Sequence, residues 1–169
     1  MDFDDVICLN NPYGGYDAKF AIDDETSEIW SQLFDAKAKE HLALVNETFA
    51  PWYVISSSWE WIFEKAELVE IMRRCGLWFV SNNLHSTWTT PKQSRHGTRA
   101  SEVKSWLALH PEFSKFWVVV DDKHSGTGFK NWSRETLSYV VLCQADVGLQ
   151  ELEFAQLYTA LERRVALPS

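Results

Sequence analysis

Short apolar runs recur along the chain, and several stop abruptly in polar or acidic residues. Trp52-Tyr53-Val54-Ile55 ends in Ser56-Ser57-Ser58, and Phe116-Trp117-Val118-Val119-Val120 ends in Asp121-Asp122. Runs of this length, unbroken by alternation, predict strands buried on both faces. Residues 1–9 begin as a very short strand carrying Asp2-Phe3-Asp4, Leu77-Trp78-Phe79-Val80 predicts a short buried strand, and Leu137 to Cys143 predicts the last one. Between the strands the apolar period changes to that of a helix. Ile29, Trp30, Leu33, Phe34, Leu44 and Val45 predict an amphipathic helix from Ser27 to about Phe49, with Ser27 as its cap and Pro51 breaking it. A second helix is expected from Trp59 to Cys75, closed by Gly76. A third runs from Ser101 to His110, where Pro111 stops it, and a fourth covers roughly 149–164 after Gly148-Leu149.

The intervening segments read as loops. Residues 10–26 carry the turn chemistry of Asn10-Asn11-Pro12-Tyr13-Gly14-Gly15, and Ser125-Gly126-Thr127-Gly128 follows the Asp121-Asp122 strand. The polar segment Ser81 to Thr98 is long for a loop in a compact domain, which points to function or mobility. Strands alternating with helices predict an α/β fold, a Rossmann-like parallel sheet with helices on both faces in three layers. At 169 residues the chain is expected to form one domain, 1–169.

Composition narrows the class. Nine tryptophans are many for this length, and their apolar or helical settings predict core packing for most of them. Cys8, Cys75 and Cys143 show no paired spacing, which predicts reduced thiols in a cytoplasmic protein. No apolar run approaches membrane-spanning length, so no membrane partner is expected. A net charge of −8 disfavours broad nucleic-acid binding. A local basic patch is still available in Lys92, Arg95, His96, Arg99 and Lys104, opposed only by Glu102; a solvated loop and helix start fits the same residues.

The strand tips carry the chemistry. Side chains two apart on a strand project to the same side, so Asp2 and Asp4 can serve one reacting centre, one as nucleophile and one as proton donor. Asp121 or Asp122 would complete an all-oxygen shell. Carboxylates gathered from separate segments repel unless a cation or shared proton holds them, and with no paired His or Cys a hard ion such as Mg²⁺ fits better than Zn²⁺. Serine hydroxyls and backbone N–H groups at the helix start near Trp59 can hold a phosphate oxygen, although a helix cap uses the same groups. A phosphoryl site also needs a fixed cation, for which Arg99 and Lys104 are the candidates.

This ordered set resembles the haloacid dehalogenase-like (HAD) superfamily, and within it the small HAD domain of Swiss Army Knife RNA repair proteins. The similarity runs through Asp2-Phe3-Asp4-Asp5-Val6-Ile7, Val54-Ile55-Ser56-Ser57-Ser58-Trp59, Arg99 through Leu107, Trp117-Val118-Val119-Val120-Asp121-Asp122 and Gly148-Leu149. The resemblance implies that Asp2 is the nucleophile and forms an aspartyl-phosphate. It makes Asp4 the general acid/base, which also lends its backbone carbonyl to Mg²⁺. Ser57, with Ser56 beside it, would bind phosphate; Arg99, or else Lys104, would be the phosphate-facing cation. Asp121 would ligate the metal with Asp122 supporting it. Where the family usually has Gly, this chain has Asp5, and only Met1 precedes Asp2.

The expected activity is Mg²⁺-dependent hydrolysis of a phosphomonoester. The segments between motifs are too short for a sizeable cap domain, and an open site suits a large substrate such as a nucleic-acid end or a phosphoprotein, with nucleotides as a smaller option. Trp88 is available for stacking. Two rivals share the sequence features. A catalytically idle HAD-like fold, serving as a protein or nucleic-acid interaction module, would follow if Asp2 were too loosely anchored for in-line attack. A phospho-accepting receiver domain expects its acceptor Asp mid-chain and a Lys after the last strand, where this chain has Cys143-Gln144.

Overall fold

The structure is a computed structural model that describes residues 1–91 and 97–166, with Thr127 described by its backbone alone. Lys92, Arg95 and His96 of the basic stretch lie outside the described residues. In chain order the elements are α1 (Gly15–Phe20), α2 (Ile29–Gln32), α3 (Ala36–Phe49), β1 (Tyr53–Ile55), α4 (Lys65–Arg74), α5 (Trp78–Asn82) and β2 (Leu84–Thr89). There follow α6 (Arg99–Leu109), β3 (Val119–Asp122), α7 (Arg134–Leu137), β4 (Val140–Cys143) and α8 (Glu151–Val165). Single 3₁₀ segments cover Ser58–Trp61, Pro111–Phe113 and Ser125–Asn131.

Among the described residues the four strands form two parallel ladders. β1 pairs with β2 from Tyr53↔Leu84 to Ile55↔Thr89, with an irregularity between, and β3 pairs with β4 from Val119↔Val140 to Asp122↔Cys143. The dipeptide Met1-Asp2 joins them. Met1 N donates to Val54 O at 2.7 Å, Ser56 N to Met1 O at 2.9 Å, and Asp2 N to Val120 O at 3.0 Å. Residue 1 is bracketed by 54 and 56 in the pattern of a parallel pair. The hydrogen-bonded order is therefore β2, β1, Met1-Asp2, β3, β4. After Asp2 the chain turns at once: the amides of Val6, Ile7 and Cys8 all converge on Phe3 O.

Helix ends follow local chemistry. Asp35 caps α3 by accepting from Ala38 N at 2.8 Å, and the buried positions Ala38, His41, Leu42 and Val45 form one stripe. Thr98 and Ser101 cap α6 reciprocally, which fixes where Arg99 leaves the helix start. α4 ends at Cys75 with Gly76 at φ +86°, a conformation open to glycine. α8 packs on α3 and β4. The main core includes a cluster in which the Phe3, Phe34 and Trp59 rings meet at 5.1–5.8 Å.

Several expected elements differ. Residues 77–80 are not a strand: Leu77 N bonds back to Met72 O and Val80 N to Leu77 O, and α5 buries Phe79 and Val80 while Trp78 stays exposed. The strand lies instead at Leu84–Thr89, inside the segment expected to be loop. At the end of the ladder order, β2 has no apolar run to announce it. Asp35 interrupts the expected 27–49 helix, residues 10–26 contain α1, and the strand expected from Phe116 begins at Val119. Of the nine tryptophans, Trp30, Trp59, Trp106 and Trp132 are buried and Trp88 and Trp117 pack against the core from partly buried positions, so core packing accounts for most, while Trp52, Trp61 and Trp78 are exposed. All three cysteines are free and buried, and burial pushes their thiols up to about 12. Among the described residues no helix is long and apolar enough to cross a membrane.

Candidate active site

Four chain segments end at one place. Asp2 ends the Met1-Asp2 link, Ser56 and Ser57 follow β1, Asp121 and Asp122 close β3, and Arg99 opens α6. Asp2, Asp121 and Asp122 are buried, and each offers a carboxylate oxygen within 4.8 Å of the others. Parallel strands leave their carboxyl ends together, so side chains distant in sequence meet there.

Arg99 occupies the centre. Its Nη2 donates to Asp2 Oδ2 at 3.3 Å, and its Nη1 to Glu102 Oε2 at 3.0 Å and Ser56 Oγ at 3.3 Å. Arg99 Nε stands 3.2 Å from Asp121 Oδ2, but the two are not aligned for a hydrogen bond, and both are buried without a hydrogen-bond partner. The contact is one of charge. Asp121 Oδ1 accepts from Asp122 N at 2.9 Å, and Asp122 Oδ1 accepts from the His124 and Ser125 amides at 2.6 and 3.0 Å.

The electrostatics separate the three acids. Burial, then the nearby Asp2 charge, pushes Asp121 up to about 8, against the pull of Arg99. Burial likewise raises Asp2, opposed by Arg99 and by hydrogen bonds from the Ser57 hydroxyl and Phe3 N–H. Burial also acts on Asp122, but the Ser125 and His124 hydrogen bonds outweigh it and hold Asp122 below the usual carboxylate range. Burial works to lower Arg99, and Asp2, Asp121 and Glu102 together outweigh it, raising Arg99. An all-oxygen donor set with one buried carboxylate oxygen, Asp121 Oδ2, that accepts no hydrogen bond fits a hard divalent cation.

Asp4 sits beside this cluster. Its Oδ1 accepts from Trp59 Nε1 at 2.9 Å and Asn10 Nδ2 at 3.4 Å, and its Oδ2 from Ser58 Oγ at 2.9 Å. The turn at Phe3 ends the strand geometry that would have put Asp2 and Asp4 on one face. Ser57 also accepts from Trp59 N at 3.4 Å, and Ser56 accepts from Thr90 Oγ1 at 3.1 Å. Lys104 is not brought in: it is exposed, with its ammonium 5.4 Å from the Trp132 ring centroid. Asp5 adopts φ +56°, the left-handed region, and its Oδ1 accepts from Asp146 N at 2.9 Å. At Gly148, φ +78°, a Cβ would come within 2.8 Å of Val6 O, and the next amide, Leu149 N, donates to that same carbonyl.

Trp59, Asn10, Ser58 and Thr90 orient these groups and were not expected to do so. Trp59 directly follows the serines, a signal that was present; nothing marks Thr90, which reaches Ser56 only through the pairing of β1 with β2. The family model for the HAD domain in Swiss Army Knife RNA repair proteins matches residues 1–154. No curated protein and no solved structure matches.

Proposed function

The chain belongs to the family of HAD domains in Swiss Army Knife RNA repair proteins, and from that premise we propose that it is a Mg²⁺-dependent phosphomonoester hydrolase working through an aspartyl-phosphate. The observation that carries the reading is the meeting of Asp2, Asp121 and Asp122 within 4.8 Å beside Arg99. On the same footing we read residues 1–169 as one three-layer Rossmann-like domain without a sizeable cap, working in the cytoplasm.

Asp2 attacks phosphorus in line, forming a carboxylate oxygen–phosphorus bond as the substrate's ester oxygen leaves with a proton from Asp4. A water molecule, giving its proton back to Asp4, then attacks phosphorus and frees Asp2 and phosphate. Arg99 and the Ser57 hydroxyl bind the phosphate oxygens, with Ser56 held ready by Thr90. Asp2, the Asp4 backbone carbonyl and Asp121 would hold Mg²⁺, with Asp122 in support; bound there, the ion offsets the charge of phosphate against the carboxylates. Lys104 has no part in this reading. Three backbone hydrogen bonds around Met1-Asp2 anchor the nucleophile within the β structure, as in-line attack requires. An open site suits a nucleic-acid end as the phosphorylated substrate.

Release of phosphate from an aryl phosphate, with and without Mg²⁺, tests the reading. Wild type turns over only with Mg²⁺, and Asp2→Asn does not turn over; equal rates would remove Asp2 as nucleophile.

One observation favours a catalytically idle interaction module. The Arg99 guanidinium already supplies the positive charge that the buried acids require. Calorimetric titration separates the two: an idle module takes up no Mg²⁺ with Asp2 and Asp121 intact.

A further inference from the structure

A second group of metal-ligand residues lies at the other rim of the strands. His85 is the second residue of β2, next to Leu84, which pairs with the first residue of β1; Asp2 lies beyond the strands' opposite ends. His110 caps the C-terminus of α6, and Glu112 is the second residue of the 3₁₀ turn that Pro111 opens after it. α6 begins at Arg99, so its 11 residues put about 16 Å of helix between the two places. His85, His110 and Glu112 each offer one ligand atom within 4.8 Å of the others.

We propose that His85, His110 and Glu112 form a binding site for a borderline transition-metal ion, Zn²⁺ in the first instance. Donor chemistry selects the ion. Two imidazoles and one carboxylate suit Zn²⁺, whereas the all-oxygen cluster at Asp2 suits Mg²⁺, so the two ions sort between two sites. Three protein ligands leave a fourth position for water.

Packing holds the donors near their working positions. The His110 ring stacks on Trp106 with centroids 4.2 Å apart, and its Nδ1 lies 3.2 Å from Glu112 Oε1. Atoms bound at ~2.1 Å to a tetrahedral ion stand roughly 3.4 Å apart, so this pair is already spaced for it. The His85 ring meets Trp106, His110 and Phe113 edge-on at 4.9–5.5 Å. Thr87 brackets His85 Nδ1, with its N–H at 3.0 Å and its carbonyl at 3.4 Å. The Thr87 N–H donates to Nδ1, so the metal-free ring carries its proton on Nε2, and binding the ion at Nε2 moves that proton to Nδ1, where the Thr87 carbonyl can accept it. The negative end of the α6 dipole falls at His110 and adds attraction for a cation. Glu112 is exposed, which keeps the approach open.

The test is calorimetric titration of Zn²⁺ into the whole chain with Mg²⁺ in excess, followed by Co²⁺ substitution and its visible spectrum. Wild type and Asp121→Asn are expected to bind one Zn²⁺ equivalently and to give the intense bands of four-coordinate Co²⁺. Binding should weaken about tenfold or more in Glu112→Gln, which alters one exposed ligand, and vanish in His85→Gln with His110→Gln. Circular dichroism confirms that each variant is folded. No Zn²⁺ binding by wild type overturns the proposal, as does binding that survives the double histidine variant and is lost in Asp121→Asn. None of these outcomes depends on the phosphatase reading.

Discussion

Arg99 Nη2 lies 3.3 Å from Asp2 Oδ2, although 97 residues separate them in the chain. The same guanidinium faces Asp121 Oδ2 at 3.2 Å, so one cation offsets two buried acids from two different segments. Removing the cation from such a network leaves buried acid without its counter-charge.

Arg99→Gln is therefore expected to destabilise the metal-free protein by about 3–5 kcal/mol at neutral pH. Mg²⁺ should restore part of the loss by supplying positive charge to the same acids. Urea unfolding with and without Mg²⁺ checks both; a variant as stable as wild type would show that Arg99 is not the counter-charge.

The raised acids predict a pH dependence. Asp121, lifted from 3.8 to about 8, holds a proton in the folded chain that the unfolded chain gives up. Its stabilising contribution is whole below the unfolded value and is lost as pH rises through the folded one, and Asp2, also raised, acts in the same direction. Asp122 is lowered, so its contribution is lost only under more acidic conditions. The urea midpoint in the presence of a chelator should fall between about pH 5 and 8. Asp121→Asn should flatten that slope; an unchanged slope would assign it elsewhere.

Trp59 donates to Asp4 at 2.9 Å and is a positioning residue for the proton transfer proposed at Asp4. Trp59→Phe keeps most of the buried ring but removes the N–H. The expected result is a fall in kcat of about tenfold with KM little changed, the size of one lost hydrogen bond to a charged group. An equal loss through KM alone would place Trp59 in substrate binding.

Two left-handed residues predict different responses to glycine. Ala50 ends α3 at φ +43° and its side chain has no polar partner to lose, so Ala50→Gly should stabilise by about 1 kcal/mol. Asp5, at φ +56°, gains the same relief as glycine but loses its bond to Asp146 N, so Asp5→Gly should change stability by less than about 1 kcal/mol. Denaturation midpoints distinguish the two; equal gains would mean that the Asp146 contact contributes nothing.

Residues that act through their own segment are legible in the sequence. The runs ending in Ser56-Ser57 and Asp121-Asp122 carry their strand and their polar tip in adjacent positions, and Pro111 and Gly76 mark helix ends by backbone geometry. β2 was hidden because a half-exposed strand at the end of the ladder order needs no apolar run. Leu77-Trp78-Phe79-Val80 misled because a short apolar run has no period of its own, and the turn after Gly76 delivers it into a helix.

The order of residue types alone determined the α/β class, the acidic and hydroxyl-bearing tips and the family resemblance, because each is written in contiguous residues. Only the tertiary structure decided which groups meet. It set Arg99 between Asp2 and Asp121, turned Asp4 toward Trp59, sent Lys104 to Trp132, and brought His85 to His110. Parallel pairing aligns segments scores of residues apart, and no local pattern records which side chains that alignment brings face to face.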